Sequence, residues 1–225
     1  MALHISSNHP YAHAETFPAE GAVSLPGLLE EGEGPLEIEI GPGRGAFAIA
    51  RCQARPDVRL LGLEIRLKWA HLVDERLKKL GLGARARVLA ADARDALGRL
   101  GPDASVAVFY LHFPDPWWKK RHEKRLVLGE PLLDSIARLL VPGGELFVQT
   151  DVEDRAAQYQ ARLDAFAALE PAGDAAGDAR LAANPTRRAA TASGARTPTA
   201  SPCTASATAA ARAGARQAGP TEPRS

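Results

Sequence analysis

The stretch Leu36-Glu37-Ile38-Glu39-Ile40-Gly41-Pro42-Gly43-Arg44-Gly45 decides the fold. Three aliphatic residues alternate with two carboxylates and run into glycines at every second position. That pattern reads as a strand ending in a tight turn. Without a Cβ, the turn can bring its backbone close to a ligand, and the helix start behind it offers free N–H donors. A helix is expected from about residue 44 to 54. Outward from there the rhythm repeats. Strands are expected at 58–63, 87–90, 105–111 and 145–150, and helices at 66–80, 93–100, 129–140 and 152–169. The second helix places Trp69, Val73, Leu77 and Leu80 at spacings of three and four. Pro142-Gly143-Gly144 stops the fourth. Alternating strands and helices with largely apolar strands predict an α/β fold, its five parallel strands covered on both faces.

Composition bounds what such a fold can be. The chain has 225 residues, 28 Lys+Arg against 27 Asp+Glu, 45% hydrophobic and 24% charged residues, which suits a globular domain rather than a membrane span. The region around His4, His9, His13 and Glu15 lacks the basic-then-apolar pattern of a secretory signal. Cys52 and Cys203 form neither a disulfide framework nor a metal-ligand spacing, so no metal is expected and a cytoplasmic compartment is. The near-zero net charge hides a split. Residues 171–225 hold seven Arg and three acids, with 19 Ala, 7 Thr, 6 Pro and 5 Gly, and Leu181 as the one large apolar side chain. Such a segment buries too little surface to offset its ordering entropy. The expected organisation is a partly ordered arm over 1–34, a folded body over 35–170 and a disordered tail over 171–225.

Two constellations carry chemistry. In the first, Glu39 precedes Gly41, Gly43 and Gly45. The third glycine comes one residue too early for the dinucleotide fingerprint, and a carboxylate at that place repels a pyrophosphate. It suits the amino group or sulfonium of S-adenosylmethionine. Glu64, ending the second strand, stands where a carboxylate accepts ribose hydroxyls, and Asp92, after the third, can accept from an adenine amino group. The second constellation is His112-Phe113-Pro114-Asp115-Pro116-Trp117-Trp118-Lys119-Lys120-Arg121-His122-Glu123-Lys124-Arg125. Two prolines brace Asp115, two indoles offer stacking faces, and a cationic cluster follows. Together they suit a nucleotide within a polyanion.

These motifs, with Gln149-Thr150-Asp151, resemble the tRNA (guanine-N7)-methyltransferase family over roughly residues 35–165. The resemblance implies a Rossmann-like class I methyltransferase that uses S-adenosyl-L-methionine to methylate N7 of guanine 46 in the tRNA variable loop. It implies cofactor contacts at Glu39, Gly41, Gly43, Gly45, Glu64, Asp92 and Asp115, with Asp115 in the active site. Lys119 and Asp151 would touch substrate, and Arg121–Leu126 would lie along RNA; the cationic cluster of Lys119, Lys120, Arg121, Lys124 and Arg125, with His122 beside it, is expected to meet its phosphates. The implied partner is tRNA, the assembly a monomer or homodimer.

The chain departs from the family pattern after Pro171. Relatives continue into an antiparallel strand pair, whereas this tail has no strand pattern and reads either like GC-rich codons in a shifted frame, from about residue 185, or as a genuine lineage-specific disordered tail. The C-terminal hairpin is therefore expected to be missing, leaving the fifth strand as an open edge. A methyltransferase for another substrate, or an inactive RNA-binding remnant, are the alternative readings.

Overall fold

The computed structural model describes residues 8–30, 32–114, 128–172 and 207–213. In chain order its elements are β1 (Val23–Ser24), a 3-10 turn (Pro26–Leu28), β2 (Leu36–Ile40), α1 (Ala46–Ala54), β3 (Arg59–Glu64), α2 (Leu67–Lys79), β4 (Ala86–Ala90), α3 (Ala93–Arg99), β5 (Leu100–Gly101), β6 (Val106–His112), α4 (Glu130–Leu139), β7 (Leu140–Thr150), α5 (Glu153–Asp164), β8 (Leu169–Pro171) and β9 (Ala207–Ala213). The main sheet runs β4-β3-β2-β6-β7-β9-β8. Its first five strands are parallel, as the alternation requires.

The glycine-terminated strand β2 sits at the centre, and its period of two divides the core. Ile38 and Ile40, with Leu61 and Leu63 of β3 and Phe109 and Leu111 of β6, face a layer that includes buried residues of α3, α4 and α5. On the opposite face Leu60 and Val88 pack with Ala48, Ile49 and Cys52 of α1 and with Ala70, Val73 and Leu77 of α2. The N-terminal arm joins this body. Phe17, Leu25 and Leu29 are buried in the first layer. Phe17 donates to the Ala90 carbonyl at 3.1 Å, and Ala90 donates to that of Glu15 at 2.8 Å. The arm thus covers the outer edge of β4, whose unpaired groups would otherwise invite other strands.

Three expectations are corrected. The buried face of α2 comprises Ala70, Val73, Asp74 and Leu77, while Trp69 is half-buried and Leu80 is 44% exposed at the C-cap. A carboxylate enters that face because Asp74 accepts from the Val88 N–H at 2.9 Å and pairs with Arg87 at 2.9 Å and Lys78 at 3.0 Å. The last helix ends at Asp164, and Leu169–Pro171 is a strand.

The third correction concerns the hairpin expected to be missing. Ala207–Ala213, inside the stretch read as disordered, runs antiparallel to β7 from Glu145↔Arg212 to Thr150↔Ala207, and antiparallel to β8. The edge of β7 is therefore paired. Main-chain donors and acceptors pair whatever the side chains are, and Ala207-Thr208-Ala209-Ala210-Ala211-Arg212-Ala213 contains neither proline nor glycine. Residues 173–206 and 214–225 lie outside the described residues.

Candidate functional site

The strand order reverses between β2 and β6, and a parallel sheet opens a crevice at the carboxyl ends of such strands. A cavity of about 380 Å³ lies there, lined among others by Gly41, Glu64, Asp92, Arg94, His112 and Pro114. Gly41, Gly43 and Gly45 of the loop beside it all have left-handed backbones, and Gly41 lines the cavity. Gly41 (φ +70°) turns the chain out of β2, and Gly45 (φ +73°) is the N-cap of α1. A Cβ on Gly45 would lie 2.3 Å from Val73 Cγ1, so α2 can pack against the loop only because that atom is absent.

Glu64 fastens the loop to β3. Its Oε2 accepts the Gly43 N–H at 2.8 Å and its Oε1 accepts the Arg66 N–H at 2.9 Å, while the residue is buried. A carboxylate offers about four acceptor sites, so Glu64 can serve the loop and still accept from a ligand. Asp92 caps α3 by accepting the Arg94 N–H at 3.0 Å, and the Arg94 guanidinium closes on it at 3.0 and 2.6 Å. That side-chain bond, ahead of any other cause, holds the Asp92 carboxyl below its ordinary range.

Glu39 lies behind the cavity wall rather than on it. Only 2% exposed, it shares Oε1 with His112 Nδ1 at 3.1 Å, and His112 lines the cavity. Glu39 Oε2 and His112 Nε2 are buried without a hydrogen-bond partner among the described residues. Burial pushes the Glu39 carboxyl up, and the His112 hydrogen bond pulls against that shift. The imidazole is wedged among aromatic rings, with centroids of Phe47 at 4.4 Å, Phe147 at 5.6 Å and Tyr110 at 5.7 Å. Two residues earlier on β2, Glu37 is neutralised by a bidentate bond from Arg51 of α1 at 2.9 and 2.6 Å.

Of the residues expected from the sequence, Gly41, Glu64 and Asp92 thus meet at one cavity. Gly43 contributes through its N–H to Glu64, Gly45 through its packing on Val73, and Glu39 through His112. Asp151 is exposed just beyond β7. Asp115, Lys119, Lys120, Arg121, His122, Lys124 and Arg125 lie outside the described residues, although Phe113 and Pro114, which lead into them, line the cavity. His112 was missed as a site residue, and its parity with Glu39 shows only once the strand register is known. Glu39 pairs with Tyr110, and alternation puts residue 112 on the same face. Asp92 and Glu64 at the rim, with the unpaired Glu39 Oε2 behind it, favour a ligand bearing hydroxyls and positive charge over a pyrophosphate. Among the described residues no group of His, Cys, Asp or Glu is placed to hold a metal, and no helix is long and apolar enough to cross a membrane.

Residues 33–194 match a family model described as "Putative methyltransferase". Over 140 residues the chain is 39% identical to the tRNA (guanine-N(7)-)-methyltransferase of Myxococcus xanthus, covering 62% of this chain and 68% of that one. The protein of the same name from Anaeromyxobacter dehalogenans is 39% identical, with 64% and 71% covered. That from Rhodopirellula baltica is 37% identical, with 61% and 51% covered. Among solved structures, a SAM-dependent O-methyltransferase from Thermotoga maritima superposes with a TM-score of 0.51 at 18% identity, covering 83% of this chain and 62% of that chain, a likeness of fold.

Proposed function

The chain belongs to the tRNA (guanine-N(7)-)-methyltransferase family, and we propose that it methylates N7 of guanine 46 in the variable loop of tRNA, in the cytoplasm, with S-adenosylmethionine as donor. One observation carries the reading. The carboxylates ending β3 and β4, and the Glu39–His112 pair ending β2 and β6, converge on a single cavity at the strand-order reversal. Their chemistry fits the donor. Glu64 suits ribose hydroxyls, the rim at Asp92 suits an adenine amino group, and the buried, half-satisfied Glu39 with its neighbour His112 suits a cationic methionine end. When bound, S-adenosylmethionine supplies a methyl group whose bond to sulfur breaks as a bond to nitrogen forms.

N7 of guanine has an in-plane lone pair and no proton, so no side chain needs to act as a base. The protein's work is alignment and electrostatics. Asp115, following directly from Phe113 and Pro114 at the cavity, accepts from the guanine N1–H and N2 amino group. This selects guanine over adenine and favours positive charge as it develops on the purine. Asp151 lies at the end of the neighbouring strand and shares that role. Lys119, Lys120, Arg121, His122, Lys124 and Arg125 hold phosphates, so binding weakens as salt rises.

The test uses the full chain, labelled S-adenosylmethionine and unmodified tRNA transcripts that differ only in guanine or adenine at position 46. Transfer to the first and not the second is expected, and Asp115→Ala should lose turnover while keeping wild-type thermal unfolding. Equal labelling of both transcripts, or near-wild-type turnover by Asp115→Ala, refutes the assignment.

A further inference from the structure

Beside the cavity, the glycine loop and the first turn of α2 carry two cations that the site above does not use. Trp69 is half-buried, with the Arg44 guanidinium carbon 5.2 Å and Lys68 Nζ 5.3 Å from its ring centroid. The two cations therefore lie at most about 10.5 Å apart, a separation comparable to the Debye length of about 10 Å at 0.1 M salt. Neither has a carboxylate partner among the described residues. By contrast Arg51, Arg55, Arg87, Arg94 and Arg99 are all paired. Ile65, 52% exposed, and Arg66 line the cavity and lead directly into Lys68 and Trp69, so the patch is continuous with the site.

A stacking contact alone explains Arg44, since it pins the loop to α2. It does not explain Lys68, whose charge is brought near a like charge with only the shared indole ring to offset the repulsion. Both cationic heads sit close to one indole, which restricts them before any ligand arrives.

We propose that Arg44 and Lys68, held by Trp69, form a phosphate clamp for the sugar-phosphate backbone of the tRNA whose guanine enters the cavity. This rests on the tRNA reading above and adds a phosphate contact beside the cavity to the cations expected from the sequence. A backbone phosphate between the two heads removes their repulsion, and its neighbours run over the exposed start of α2. The clamp adds affinity without sequence preference, because it touches phosphate and not base edges.

The experiment measures tRNA affinity across a salt series, S-adenosylhomocysteine affinity and thermal unfolding. It uses the wild-type chain, Lys68→Gln, the double variant Arg44→Gln with Lys68→Gln, and Trp69→Leu. Lys68→Gln should weaken tRNA binding about threefold and the double variant about tenfold. The double variant should also lower the slope of log affinity against log salt by about 1–2, as expected for losing the clamped phosphate and at most one neighbour. Trp69→Leu should weaken binding while leaving that slope unchanged, because both charges remain. Lys68→Gln should hold S-adenosylhomocysteine within twofold of wild type. Unchanged tRNA affinity and slope in the double variant overturn the clamp. So does a loss of tRNA affinity that merely parallels lost cofactor affinity or lost folding, which would reduce the cluster to a loop pin. If the wild-type chain binds S-adenosylhomocysteine and no tRNA at any salt, the substrate reading fails first, and the clamp with it.

Discussion

Adding a single methyl group at Gly45 or at Gly41 separates backbone strain from steric fit in the glycine loop. Both residues have left-handed backbones, φ +73° and +70°, which cost a side chain about 1–2 kcal/mol. Their surroundings differ. A Cβ at Gly41 meets no atom within 4 Å, whereas one at Gly45 falls 2.3 Å from Val73 Cγ1 and 2.9 Å from Cγ2. Val73 is buried between the sheet and α1 and cannot swing away without disturbing that core. Overpacking of this kind adds about 1–3 kcal/mol. Gly41→Ala should therefore lose about 1–2 kcal/mol, and Gly45→Ala about 2–5 kcal/mol. Val73→Ala alone removes two buried methyl groups and should cost about 2 kcal/mol. Combined with Gly45→Ala it removes the clash, so the double variant should be less destabilised than the sum of the two by about 1–3 kcal/mol. Urea unfolding followed by circular dichroism measures all four variants. Equal losses at Gly41 and Gly45, or strict additivity of Gly45→Ala with Val73→Ala, would refute the claim that the loop packs on α2.

Other outcomes follow from the buried charges. Arg51→Met strands the Glu37 carboxylate, and breaking such a pair costs about 3–5 kcal/mol; adding Glu37→Leu should recover much of that loss in the same unfolding assay. Glu39 has a folded pKa raised above 4.5, so its contribution to stability is fully present below that pH and is lost as pH climbs through the folded value. Glu39→Gln should therefore raise the melting temperature at neutral pH while weakening S-adenosylhomocysteine binding in calorimetry; a fall in both would show that His112 stabilises the ionised carboxylate more than burial penalises it. Asp92 behaves oppositely, since its folded pKa is lowered below 3.8: its contribution is present above that pH and lost as pH falls through the folded value. Asp92→Ala should cost about 1 kcal/mol at pH 7 through the lost cap, and the difference from wild type should shrink in acid melts.

The parallel half of the fold was legible because burial writes itself into side chains. The repeat Leu36, Ile38, Ile40 and the run 106–111 gave strands that the structure places as β2 and β6. The glycine loop, Glu64 and Asp92 were legible as a tight turn and as acids following strands, and the structure brings Gly41, Glu64 and Asp92 to one cavity. What stayed hidden depends on pairing rather than patterning. β9 is mostly alanine and is held by main-chain bonds to β7 that no side chain announces. Asp74 is buried although charged, because Arg87 and the Val88 N–H of the next strand, β4, meet it there together with Lys78 of its own helix. The role of His112 required knowing that Glu39 sits beside Tyr110 across two strands, a register that a single strand does not encode. Trp69 read as core through its spacing, but its ring sits at the helix start under two cations.

That the methyl donor lies in the crevice between β2 and β6 is tested most directly by ultraviolet cross-linking of labelled S-adenosylmethionine to the full chain, with the modified peptide mapped by mass spectrometry. The expected label falls on peptides holding residues 40–41, 63–66, 91–94 or 111–114 and is competed away by S-adenosylhomocysteine. Label confined to the second hollow of the surface, at residues 21–24 and 98–102, or no competable label at all, would contradict it.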